Sequence, residues 1–219
     1  MGVIIAVDGP AGSGKSSVSK EVARRLGYGY LDTGAAYRAL AWAVAQGKLE
    51  VPSIEAETFA GFDYEISLDP DNYWVKSYGT DVTEAIRSPE VASSVSAVAQ
   101  VQAVRRYMKQ LTRDLVANSP LPGVVVEGRD ITTVVAPDAP VRLLLTASEE
   151  VRLERRAKEL SPEDLATLRQ QVLDRDKSDS KVVDFMKPAE GVSLVDTTNL
   201  DFEQTVQAVL AIIREQLQP

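Results

Sequence analysis

Eight residues constrain this chain more than any others: Gly9-Pro10-Ala11-Gly12-Ser13-Gly14-Lys15-Ser16. Their spacing, G-x-x-x-x-G-K-S, suits a loop that wraps an anion. The glycines permit unusual backbone angles and a close approach. Successive N–H groups then form a nest at a helix N-terminus, where the helix dipole also favours negative charge. Lys15 can reach a β- or γ-phosphate, and the Ser16 hydroxyl can ligate Mg²⁺. The flanks decide between a phosphate cradle and a glycine-rich turn that binds nothing. Gly2 to Val7 is a β-branched apolar run, the pattern of a buried parallel strand. Val18, Val22, Ala23 and Leu26 follow at helical spacing, and Gly27 supplies a stop. Strand, loop and helix in this order imply a nucleoside triphosphate site, ATP with Mg²⁺, lined by Gly9 through Ser17.

The α/β rhythm continues. Tyr28 to Asp32 reads as a second strand and Thr33 to Gln46 as a second helix, with Tyr37, Leu40, Ala41 and Val44 on one face. The pattern breaks near Pro52. Phe62, Tyr64, Ile66 and Leu68 alternate with polar residues, Asp69-Pro70-Asp71-Asn72 signals a turn, and Tyr73 to Lys76 supplies a hairpin partner. Residues 61–83 therefore form a small antiparallel insertion. Helices are expected at Pro89–Val98 and Gln100–Asn118. Strands follow at Gly123–Val126, Val141–Leu145 and Val192–Val195. Helices follow at Ser148–Leu160, with Ser148 as cap, and at Asp201–Leu217. The fold class is α/β: one domain with a parallel sheet wrapped by helices.

With 219 residues the chain can bury a substantial core. It has no cysteine and no histidine. Thiolate and imidazole chemistry are excluded, which leaves carboxylates, Lys, Arg and hydroxyls. That set suits phosphoryl transfer, where positioning and charge neutralisation carry the catalysis. A net charge of −8 argues against nucleic acid as a partner. No membrane span or targeting segment is visible, so a cytoplasmic protein is expected, as a monomer.

Three further groups of residues fall at ligand-facing strand ends or beside them. Asp32-Thr33-Gly34-Ala35-Ala36-Tyr37-Arg38 sits where the second strand enters its helix. Arg38 there suits a second phosphate, while Asp32 or Thr33 can cap the helix. Glu127-Gly128-Arg129-Asp130 follows the Val124–Val126 strand and can read an anion and a donor edge together. Arg152, Arg155 and Arg156 begin a charged stretch that runs to Lys181. It is read either as a solvated helix pair or as a lid that closes positive charge over the transferring group. An acidic residue of the usual Mg²⁺-associated kind is not obvious. Asp8 and Asp32 are the candidates for contact through water, and turn formation explains Asp8 equally well.

The motifs Val7 to Ser16, Asp32 to Arg38, Gly128-Arg129-Asp130, Arg175-Asp176-Lys177-Ser178-Asp179 and Val195-Asp196-Thr197-Thr198 resemble, in order and spacing, those of the bacterial cytidylate kinases. The resemblance covers nearly the whole chain. It implies a P-loop nucleoside monophosphate kinase fold: a core at 1–50, 120–158 and 190–219, a monophosphate-binding region at about 33–118, and a charged helical lid at about 159–183. It implies Thr33 near the acceptor phosphate, and Arg38 and Arg129 holding it. It implies Ser96, Arg105 and Asp130 on the cytosine ring, and Arg175 and Asp179 near the phosphates and ribose. Arg152, Arg155 and Arg156 match the basic helix leading into the lid, where Lys181 is a further candidate. Lys15, Arg129 and Arg175 would carry catalysis. Many members have a further arginine three residues after the lid aspartate; this chain has Val182 there, beside Lys181.

The expected reaction is ATP-dependent phosphorylation of CMP and dCMP to CDP and dCDP. The rival readings are a P-loop kinase for another small acceptor, such as shikimate, and a nucleotide-binding switch.

Overall fold

A computed structural model describes residues 2–50, 59–157 and 186–218. The core is a five-stranded parallel sheet. Its strands are β1 (Val3–Asp8), β2 (Gly29–Asp32), β6 (Gly123–Gly128), β7 (Val141–Thr146) and β8 (Ser193–Asp196), in the order β2-β6-β1-β7-β8. Central strands buried on both faces read as unbroken apolar runs, as Ile4–Val7, Val124–Val126 and Leu143–Leu145 do.

Helices cover both faces. On one side α1 (Lys15–Leu26) and α6 (Phe202–Leu217) pack Val18, Val22, Val206 and Ile213 over Val7, Val125 and Leu145. On the other, α2 (Thr33–Ala45), α3 (Pro89–Ala99) and α4 (Gln102–Ala117) pack over Ala6, Val124 and Val126. Local signals set the helix ends. Gly27 closes α1 in the left-handed region, Ser88 caps α3 ahead of Pro89, and Asp201 with Gln204 forms a capping box on α6. Asp32, not Thr33, caps α2 by accepting from the Ala35 N–H at 3.1 Å. The α5 helix is described over Glu149–Ala157, with Ser148 accepting from Val151 at 3.3 Å.

The insertion is a three-stranded antiparallel sheet: β3 (Tyr64–Ile66), β4 (Val75–Ser77) and β5 (Thr80–Asp81). The third strand goes beyond the expected hairpin. It is reached through Tyr78-Gly79, both with positive φ, the two-residue turn that matches strand twist. Tyrosine rarely adopts that conformation, so the turn leaves no sequence signal. The insertion covers the β2 edge, where the Tyr30 N–H donates to Leu68 O at 2.8 Å.

Strand register brings the expected site segments together. Val7 pairs with Glu127, Asp8 with Gly128, and Asp32 with Glu127. The start of the phosphate loop, the Asp32–Arg38 segment and the Glu127–Asp130 segment therefore share one end of the sheet. Among the described residues no helix is long and apolar enough to cross a membrane.

Candidate active site

The loop from Gly9 to Ser16 joins β1 to α1. Gly12 has φ 77°, and a Cβ there would lie 2.6 Å from the Arg152 carbonyl oxygen. A Cβ at Gly9 would lie 2.2 Å from the Leu145 carbonyl. Only glycine fits either place. The loop is tied back by its carbonyls. Arg152 Nη1 donates to Ala11 O at 2.9 Å, and Thr197 Oγ1 donates to Ser13 O at 3.3 Å. Arg155 reaches Ser13 O at 3.4 Å and Thr197 O at 2.9 Å. Peptides whose carbonyls are held outward present their N–H groups inward, the arrangement that an anion needs.

The structure gives the start of the basic segment a bracing part. Arg152 is only 4% exposed and, with Arg155, braces the loop from α5. In this structure both are held against the loop rather than standing as solvated charges. Arg156 follows them on α5, half-buried. Arg152→Met, which keeps the aliphatic bulk, is expected to raise KM for ATP about tenfold. One hydrogen bond from a charged donor is worth roughly 1.5–3 kcal/mol. Steady-state kinetics with the triphosphate as the varied substrate reads this directly.

Asp8 also supports a turn. It is 2% exposed, and its oxygens accept from the Ile131 N–H at 2.9 Å, the Thr132 N–H at 2.8 Å and the Thr132 hydroxyl at 2.6 Å. Burial pushes its carboxyl up, and these bonds oppose that. Asp8 fixes the π-helical turn Ile131–Val135 directly after Asp130. These three bonds account for Asp8 as a turn-forming residue with no need of a metal-side role.

That role fits Asp32 and Glu127. Asp32 Oδ2 accepts from Arg38 Nη2 at 2.6 Å. Burial works to raise the Asp32 carboxyl, but Arg38, Arg87 and Lys15 outweigh it and hold it below its ordinary value. Glu127 is 1% exposed. Its Oε1 accepts from the Tyr30 hydroxyl at 2.6 Å, while Oε2 is buried without a hydrogen bond. Burial and the Asp32 charge push its carboxyl up, and Lys15, the Ser16 hydroxyl and Tyr30 oppose this. A hydroxyl and two carboxylates suit a hard cation that keeps several waters and arrives with phosphates. Among the described residues no three acidic groups converge into a protein-only cage.

Glu127 was not singled out from the sequence as a candidate metal-side acid, although the signal was there: an apolar strand, Val124–Val126, running into an acidic residue. Arg87 was also missed. It ends a short 3-10 turn after the insertion, and its charge reaches Asp32 and Tyr73.

Arg105, on α4, donates to Asp130 Oδ2 at 2.5 Å. The two residues expected on one base ring thus meet, although they lie on different elements. Ser96 lies half-buried on α3. Arg129 stands between Gly128 and Asp130 at the sheet's end. Thr33 Oγ1 donates to Glu127 O at 2.8 Å, which ties the two acceptor-side segments together. A Cβ on Gly128 would lie 2.6 Å from that hydroxyl. Arg175, Asp179, Lys181 and Val182 lie outside the described residues.

A parallel sheet bearing a braced phosphate loop, with a separate arginine-bearing site at neighbouring strand ends, defines a P-loop kinase. The cytidylate kinase family profile matches residues 5–215. A cytidylate kinase of Streptomyces avermitilis is 43% identical over 97% of this chain and 93% of its own length. One of Thermotoga maritima is 39% identical over 99% of each. The chain belongs to the cytidylate kinase family and is an enzyme of that type, a kinase that phosphorylates CMP. The solved structure of TT1252 from Thermus thermophilus covers 100% of this chain and 99% of its own at a TM-score of 0.50 and 23% identity, a likeness of fold.

Proposed function

We propose that the enzyme transfers the γ-phosphoryl group of Mg·ATP to CMP and dCMP, giving ADP with CDP or dCDP. The Arg105–Asp130 pair beside the phosphate loop supports this reading best. Asp130 can accept from the exocyclic amine of cytosine. Arg105 can donate to the ring N3 and carbonyl, with Ser96 alongside. Uracil would set a carbonyl against the carboxylate and leave both groups unpaired.

The acceptor phosphate is ionised at neutral pH, so its oxygen attacks the γ-phosphorus without a general base. One P–O bond forms as the bond to the ADP oxygen breaks. Arg38 and Arg129 hold the acceptor phosphate, with Thr33 orienting the segment between them. Lys15, the loop N–H groups and the lid residue Arg175 stabilise the spreading negative charge. The family resemblance assigns Asp179 to the ribose; beside Val182, either Lys181 supplies a point charge or Arg38 and Arg129 hold the phosphate without it. When bound, Mg²⁺ would neutralise phosphate charge. Ser16 would ligate it directly, and Asp32 and Glu127 would hold its waters.

Release of ADP measured across CMP, dCMP, UMP, shikimate and no acceptor tests this. The expected kcat/KM for CMP exceeds that for UMP by about 100-fold or more. Equal values would overturn cytosine reading by Arg105 and Asp130. Release independent of acceptor would overturn phosphoryl transfer itself.

A further inference from the structure

The antiparallel insertion brings two tyrosines to the acceptor side of the site. Tyr64 pairs with Ser77 and Ile66 with Val75. The Ser67 N–H donates to Trp74 O at 2.9 Å, which continues the register and sets Tyr73 across from Leu68. Tyr64 and Tyr73 thus share the face that packs on α2, the helix that carries Arg38. The turn before Tyr73 is latched to α1, where Arg24 Nε donates to Asp71 Oδ1 at 2.6 Å.

Tyr73 packs against both halves of the core. Its ring centroid lies 6.0 Å from that of Tyr30, whose hydroxyl bonds Glu127. Lys20 Nζ stands 5.7 Å from its centroid. Asp32, Arg38, Arg87 and Glu127 all act electrostatically on its hydroxyl. Yet Tyr73 Oη is buried with no hydrogen-bond partner, and so are Tyr64 Oη and Arg38 Nε. Packing alone gives no reason for the hydroxyl, since phenylalanine would fill the same volume without an unsatisfied polar group. Burial holds the phenol neutral, so it keeps its proton and can donate. The Arg38 Nε–H is likewise a fixed donor, and it carries positive charge. Two donors of this kind, beside the helix that bears the acceptor arginine, are satisfied by an oxyanion.

We propose that Tyr73 is an acceptor-binding residue whose hydroxyl donates to the phosphate of the acceptor nucleotide beside Arg38. This rests on the acceptor site argued above. The insertion then does more than enlarge the domain: it delivers one hydrogen bond to the phosphate from a turn braced on the phosphate-loop helix.

The test is Tyr73→Phe in the full chain, beside the wild type. The thermal midpoint is measured without ligand, and KM for CMP and for ATP with kcat at saturation. The expected result is a midpoint equal to or above wild type, because an unsatisfied hydroxyl has been removed. KM for CMP should rise about tenfold, and KM for ATP should stay within about twofold. An unchanged KM for CMP would overturn the proposal and leave the hydroxyl as a buried defect. A lowered midpoint would also overturn it, because the hydroxyl would then serve the fold. If the wild type itself showed no CMP-dependent turnover, the acceptor site would fall with it. Wild-type transfer with an unaffected variant would sink the tyrosine alone.

Discussion

Lys15→Ala is expected to lower kcat by about a thousandfold, roughly 4 kcal/mol of transition-state stabilisation, while the fold survives. Lys15 is the first residue of α1 and only half-buried. The loop stays braced by Arg152 and Arg155 from below. What goes is the ammonium proposed to follow charge onto the transferring phosphate. Single-turnover transfer from labelled ATP measures the rate, and thermal unfolding reports the fold. A variant with near wild-type rate would remove the phosphate loop from the mechanism. A variant that fails to fold would show that Lys15 is structural.

Glu127→Gln is the second large effect. Altering a group that orients a metal's ligands costs about 10–100-fold in metal affinity. The variant should therefore need about 10–100-fold more Mg²⁺ to reach half its maximal rate. Glutamine keeps an oxygen for the Tyr30 hydroxyl, so the local packing is retained. Stability should move in the opposite direction to activity. The folded-state carboxyl is raised above its ordinary value of 4.5 by burial and by Asp32. The native state thus holds this proton more tightly than the unfolded chain does. Its contribution to stability is full below pH 4.5 and falls as pH rises through the folded-state value. Asp32, held below 3.8, works in the other sense: its contribution is present above that value and lost as pH falls through the folded-state value. Melting curves of wild type and Glu127→Gln from pH 4.5 upward should separate, with the variant increasingly the more stable. Unchanged Mg²⁺ dependence would restrict Glu127 to a structural part.

Much of this architecture was legible because its signals are local. The phosphate loop, the strand before it and α1 behind it are written in consecutive residues. Asp201 and Gln204 announce the start of α6 in the same way, and the Asp69–Asn72 turn announces the hairpin. Arg38, Arg129 and Asp130 were legible because they follow apolar strands, and parallel strands place their ends side by side. The Arg105–Asp130 contact joins positions 25 apart, and only the ordered family motifs pointed to it.

What escaped the sequence depends on contacts between distant segments. Arg152 meets Ala11 across 141 positions, and nothing in the charged stretch around it marks one arginine for burial. Asp8 adjoins the phosphate loop and so invited a metal role. Its partners are the backbone of a turn 123 positions away, and that turn's irregular geometry has no compositional sign. Glu127 was seen, but only as the first residue of the Glu127–Asp130 segment at a ligand-facing strand end. The register that sets it beside Asp32 shows it to be the last buried acid of a strand. Tyr73 read simply as a strand residue, because its hydroxyl matters only once the insertion is docked against α2.

The most direct test follows the phosphorus itself. With ATP labelled at the γ-position, Mg²⁺ and CMP, the label should appear as the β-phosphate of CDP, in equal amount with the ADP formed. UMP under the same conditions should accept about 100-fold less per unit time at subsaturating concentration. Label released as inorganic phosphate, with ADP formed and no CDP, would contradict the account.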